Sequence, residues 1–198
     1  MKLKTLPLAL AAAALLLTGC WQKSLYPFYK DKDVIFDESL LGDWTEVAKD
    51  KEKPAKWTFT KGELPNVSRL HIEDGDSRLE LDARLFKIGE NRYFDFYSRG
   101  RSVNEIPAHH LLRVNELGTA LKMQILDMGW VKKWVSEHPN ALPSVRTPDP
   151  ENPTDEDKVE FVLAADTERL QKWVLEHQNE EGFWNNVWEV KKVAAPAK

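Results

Sequence analysis

From Asp43 to Leu126 apolar and polar residues alternate in short runs divided by turn residues, a period of two that predicts antiparallel strands with one buried face. Trp57 and Phe59 alternate with Thr58 and Thr60, and Leu70 and Ile72 with Arg69, His71 and Glu73. Asp74-Gly75 then supplies residues that accept a positive φ, as a tight hairpin requires. Leu79, Leu81, Ala83 and Leu85 continue the alternation against Arg78, Glu80, Asp82 and Arg84. After Leu85 the apolar phase flips to Phe86 and Ile88, which predicts a β-bulge or a bend at Leu85-Phe86. Gly89-Glu90-Asn91 turns the chain into a strand over 93–97, and two more strands are expected at 111–116 and 120–126. In the last of these Leu121, Met123 and Ile125 share one face.

Beyond Leu126 the period changes. Trp130, Val131, Trp134 and Val135 recur at helical spacing up to the stop at Pro139, with Asp127 as N-cap. A loop over 139–157 follows, rich in proline and acidic at its end, long enough to be either functional or mobile. Residues 159–163 read as a strand, and Leu170, Trp173 and Val174 as the stripe of a second helix capped by Asp166 or Thr167. Residues 184–190 read as a closing strand and 194–198 as a frayed tail. The two helical units are related: Lys133-Trp134-Val135, Glu137 and His138 recur as Lys172-Trp173-Val174, Glu176 and His177 at a constant offset of 39. Asp127 recurs as Asp166 at the same offset, so Trp134 and Trp173 are expected in equivalent places against the sheet. The expected fold class is mainly β (α+β), an antiparallel sheet or barrel with two helices in the C-terminal half, in one domain spanning 34–193.

At the amino terminus Lys2 and Lys4 precede an apolar run over 8–17, too short for the ~20 helical residues that span a bilayer and suited to a signal peptide over 1–19. The run ends in Leu17-Thr18-Gly19-Cys20, which resembles the lipobox of bacterial lipoproteins. The resemblance implies cleavage between Gly19 and Cys20, a diacylglyceryl thioether on Cys20, and anchoring by three acyl chains, enough for stable membrane attachment. It also implies sorting to the outer membrane, facing the periplasm, because Trp21 is not the aspartate that retains lipoproteins in the inner membrane. Residues 20–33 are then expected as a lipidated tether. Within it Trp21, Tyr26, Phe28 and Tyr29, interleaved with Lys23, Lys30 and Lys32, either sit at a lipid interface or pack on the domain.

A second resemblance lies in Phe36-Asp37-Glu38-Ser39-Leu40-Leu41-Gly42-Asp43-Trp44, which is similar to the G-x-W opening of lipocalin-like domains. It implies that Gly42 is a turn glycine and that Trp44 plugs one end of a barrel. The chain departs from lipocalins in its two helices and proline-rich loop, and as a whole resembles bacterial lipocalin-like lipoproteins.

Composition narrows the function. With 42% hydrophobic and 30% charged residues and a mean hydropathy of -0.52, the chain is neither a polytopic membrane protein nor wholly disordered. A formal charge of -4 gives no basic excess for nucleic acid. Cys20 is the only cysteine, so no intramolecular disulfide forms. His109 and His110 are adjacent and point to opposite faces if extended, while His138 and His177 end helices, where a cation is favoured. No H-x-x-x-H spacing, second cysteine, nucleophile elbow or nucleotide fingerprint is present, so no metal, cofactor or enzymatic activity is expected. Arg99-Gly100-Arg101 reads as a solvated basic loop.

Eight tryptophans remain to be explained. Trp44, Trp57, Phe59, Phe94, Phe96 and Met123 are candidates to line an apolar pocket, against the simpler reading in which they form the core. The expected function is a membrane-anchored, non-catalytic envelope lipoprotein that binds a hydrophobic small molecule or lipid. The alternative is a protein interaction or assembly module of an envelope complex, acting through the 139–157 loop or an exposed sheet edge. A cavity separates the two.

Overall fold

The computed structural model describes residues 21–47, 53–99, 106–149 and 151–194. The expected leader over 1–19, Cys20, Gly100, Arg101 and most of the C-terminal tail lie outside the described residues. The strands are β1 (Val34–Ile35), β2 (Gly42–Glu46), β3 (Lys56–Lys61), β4 (Ser68–Asp74), β5 (Ser77–Ile88) and β6 (Asn91–Ser98). They continue with β7 (Ala108–Leu117), β8 (Ala120–Leu126), β9 (Ser144–Thr147), β10 (Glu160–Leu163) and β11 (Trp184–Lys192). Helices α1 (Met128–Glu137) and α2 (Thr167–His177) lie in the C-terminal half.

The sheet closes. Its order is β5-β4-β3-β2-β11-β8-β7-β6, every neighbouring pair is antiparallel, and β6 pairs back onto β5. Closure depends on the length of β5: its first part pairs with β4, from Asp74↔Ser77 to Ser68↔Ala83, and its second part with β6, from Asp82↔Tyr97 to Ile88↔Asn91. β1 fills the gap that the stagger leaves, pairing Val34 with Phe86 and Ile35 with Leu85.

The expected bulge at Leu85-Phe86 is not there, because the β5–β6 register runs unbroken through it. The phase flip has another cause: both faces of β5 are buried at that point. Leu81, Ala83 and Leu85 face the lumen, while Phe86 and Ile88 face outward beneath other elements. Register shifts occur instead between Val114 and Glu116 and between Trp184 and Val187.

Two cores result. The inner one fills the barrel with Leu40, Trp44, Trp57, Phe59, Leu70, Phe94, Phe96, Leu112, Leu121, Met123 and Val190 among others. The outer one lies against the barrel wall, where Phe86, Tyr93, Leu111 and Leu126 meet Val131, Val135, Leu163, Leu170, Trp173, Val174 and Phe183. Both helices begin at the expected aspartates: Asp127 accepts the Trp130 N–H at 2.6 Å and Asp166 the Arg169 N–H at 3.0 Å. Thr167 is not the cap; its hydroxyl donates to the Pro27 carbonyl at 2.8 Å. Trp134 and Trp173 also depart from expectation, since they meet each other edge-on at 5.6 Å instead of lying separately on the sheet. The reason is Phe183, which packs under Trp130 and Trp173 and draws the two helices together.

Within the expected 139–157 loop, residues 144–147 form β9, which pairs with β10. That hairpin reaches the barrel through the N-terminal segment. Ser24 exchanges backbone hydrogen bonds with His109 at 2.9 Å, while Leu25 donates to Leu163 and Leu163 to Lys23 on its other side. The expected tether over 20–33 is therefore, from Trp21 onward, part of the domain: Gln22, Ser24 and Phe28 are buried. Backbone groups in this segment find partners on two elements at once, which a free tether would leave to water.

Candidate functional site

The barrel has one sealed and one open end. At the sealed end Asp37 accepts the Ser39 N–H and starts a short 3-10 turn over Glu38–Leu40. Leu40 is buried, and its carbonyl accepts the Trp44 indole N–H at 2.8 Å. Gly42 joins this turn to β2 with φ +115°, a conformation that side chains with a Cβ rarely adopt. The Lys192 ammonium lies 5.3 Å over the Trp44 ring.

The six candidate pocket residues are brought together as the spacing implies, all of them in the lumen and all buried. They pack on one another. Phe59 stacks on Phe94 at 6.2 Å, Phe94 meets Phe96 at 5.3 Å, and Trp57 meets Phe96 at 6.4 Å. At the other end of the lumen lies a cleft of about 30 Å³ lined by Trp21, Glu46, Ala55, Trp57, Ile72, Asp74 and Trp188. That is room for about one water molecule.

Three residues at this mouth were not among the six pocket candidates. Trp21 sits across it, 5.4 Å from Trp188, 5.3 Å from His110 and 6.3 Å from Phe96. Trp188 shares the inward parity of Val190 on β11, a signal available in the sequence. His110 faces the lumen and His109 the outside, as adjacency on a strand requires. The His110 Nδ1 donates to the Gln22 carbonyl at 3.1 Å, which assigns the proton to that nitrogen. Burial pushes its pKa down to about 4, against the opposing pull of that hydrogen bond and with help from Lys23 and His109.

On the outer wall Asp95 is fully buried and accepts the Phe28 N–H at 2.9 Å and pairs with His109 Nδ1 at 2.7 Å. The arrangement orients an imidazole and holds the N-terminal segment against β6 and β7. Arg99 is exposed and forms a 2.9 Å ion pair with Asp82. A wide polar cleft of about 350 Å³ lies between Arg113, Gln124 and the 178–184 turn, with Trp184 on one wall. Several of its groups already bond to neighbours: Gln178 accepts from Tyr93 and Asn91, and Arg113 donates to Asn91. His138 ends α1, His177 lies in the last turn of α2, and among the described residues no three His, Cys, Asp or Glu side chains converge to hold a metal. No helix among the described residues is long and apolar enough to cross a membrane.

Compared with known proteins, the chain matches no protein-family model, no curated protein and no solved structure.

Proposed function

We propose that this chain is a lipid-anchored envelope protein, attached through Cys20 and facing the periplasm from the outer membrane. Its barrel is a non-catalytic platform that engages a protein partner through its outer surface. The observation that carries the surface over the lumen is the filled interior: about 30 Å³ at the mouth, against the ~300 Å³ or more that a small-molecule site needs. The lipobox supports the anchor.

The surface best suited to a partner is β9. It pairs with β10 on one side and borders no further strand among the described residues, so its outer backbone groups are available for strand addition. Val145 is half exposed on it, Pro143 and Pro148 bracket it, and Arg146 is tied to Glu156 of the acidic loop.

The test is site-specific photocrosslinking in cells from position 145, with position 64 as control. A discrete protein adduct at 145 and none at 64 is expected; no adduct at either removes the partner reading. A second reading, a small apolar ligand held at the mouth, is favoured by the Trp21, Trp57 and Trp188 lining of the cleft. Native mass spectrometry after incubation with an envelope lipid extract distinguishes it by an adduct of small-molecule mass.

A further inference from the structure

The reading above joins lipid to Cys20, and no linker follows. Trp21 is already seated in the barrel mouth against Phe96, His110 and Trp188. Gln22 is buried and its side-chain amide donates to the carbonyls of Phe161 and Lys23 at 2.7 and 2.9 Å. Ser24 is bridged to His109 on one side and Leu163 on the other. A trans peptide bond sets the Cα of Cys20 ~3.8 Å from that of Trp21, so an anchor there has no slack.

The rim around this point is mixed, with exposed Lys53, Asp76 and Arg99 standing beside exposed apolar side chains. Ile106, 68% exposed, lies on the β6–β7 connection, and Val47, 42% exposed, follows β2 and donates its N–H to Glu189 beside Trp188. Indole rings favour the headgroup level of a bilayer, and Glu46 and Asp74 at the same mouth keep the contact at that level and out of the hydrocarbon.

We infer that acylated Cys20 holds the barrel with its open end down on the lipid surface, with Trp21, Val47, Ile106 and Trp188 at the interface and the sealed end pointing away. This rests on the lipidation of Cys20. The occupant of the rim is the bilayer that carries the anchor, because the chain outside the described residues leads to lipid within one residue of the mouth.

The experiment uses the full chain, expressed with its leader so that cells process it. Ile106→Cys and Leu64→Cys are both substitutions at exposed positions, at the open and the sealed end respectively. Strands of this length separate the two ends by ~20 Å. Each new thiol is labelled with a fluorophore, since Cys20 as a thioether offers none. The proteins are then placed in phosphatidylethanolamine–phosphatidylglycerol vesicles carrying headgroup nitroxides. Quenching several-fold stronger at 106 than at 64 is expected. Equal quenching, or stronger quenching at 64, overturns the orientation, and a protein crosslinked to position 106 in cells in place of lipid does so as well. Intact mass on the same sample separates the two claims. A chain without the diacylglyceryl mass, whose parent protein takes up label at Cys20, overturns the anchor and the orientation together.

Discussion

The two cores share one barrel wall and are held by different means. Inside, alternate residues of eight strands meet ring on ring, and the polar side chain His110 needs only one backbone carbonyl. Outside, the apolar packing is crossed by buried polar groups from distant parts of the chain. Asp95 holds Phe28 and His109, Gln171 donates to the Phe28 carbonyl at 3.0 Å and to Asp33 at 2.9 Å, and Gln178 accepts from Tyr93. The inner core follows from strand periodicity, since the inward positions are mostly apolar, with His110 and Ser68 as exceptions, and non-directional burial largely suffices. The outer core gathers an N-terminal segment, a hairpin and two helices, which need directional bonds to fix where each one sits.

The comparison can be broken most directly from the inside. Trp44→Ala removes a fully buried ring from the sealed end and is expected to cost ~3–5 kcal/mol, read as a lower urea midpoint for the whole domain. A cost under 1 kcal/mol would mean that the inner packing is not what holds the barrel.

His110 sharpens it through pH. Its pKa is about 4 in the fold against 6.5 for the free group, so between those values the unfolded chain takes up a proton that the barrel excludes. Stability therefore falls as pH drops from about 6.5 to about 4, by roughly 3 kcal/mol from this group. His110→Asn should flatten the difference between denaturation midpoints at pH 7 and pH 4, and an unchanged slope would remove His110 as its source.

Asp95→Ala tests the outer core. It strands the Phe28 N–H and the His109 ring at a cost of ~1–3 kcal/mol. Amide exchange should accelerate over residues 24–28 while the β3 and β4 amides keep their protection. Uniform acceleration would mean that the two cores open as one. The smallest effects belong to the helix caps: Asp127→Ala and Asp166→Ala should each cost ~1 kcal/mol and lose helical signal in similar measure. A large disparity between them would show that the 39-residue correspondence is one of sequence without equal energetic weight.

Much of the barrel was legible from residues alone. Leu79, Leu81, Ala83 and Leu85 announce a strand with one buried face, Gly75 its hairpin, and Asp127 and Asp166 the helix starts, because each signal is local and its partner lies within a few residues. The phase flip at Phe86 was legible as an event but not as a cause. Two faces buried by different partners and a bulge write the same pattern, and only the presence of the helices tells them apart. The six lumenal candidates were grouped correctly, yet whether they frame a void or fill it depends on barrel radius and side-chain volume, which no spacing records. Trp21 and His110 were missed as members of the mouth because their contacts span nearly ninety residues of chain.

By itself the sequence determined the strand and helix content, the turns, the caps and the inward parity of the aromatic residues. All of these are short-range consequences of backbone geometry and side-chain type. The tertiary structure alone decided that the sheet closes, that β5 serves two neighbours in succession and that residues 21–33 belong to the domain. It also decided that the lumenal rings pack on one another and that Trp21 sits across the mouth beside Trp188. Those outcomes turn on how much volume eight tilted strands enclose and on which distant backbone groups remain to be paired, and both exist only once the whole chain has come together.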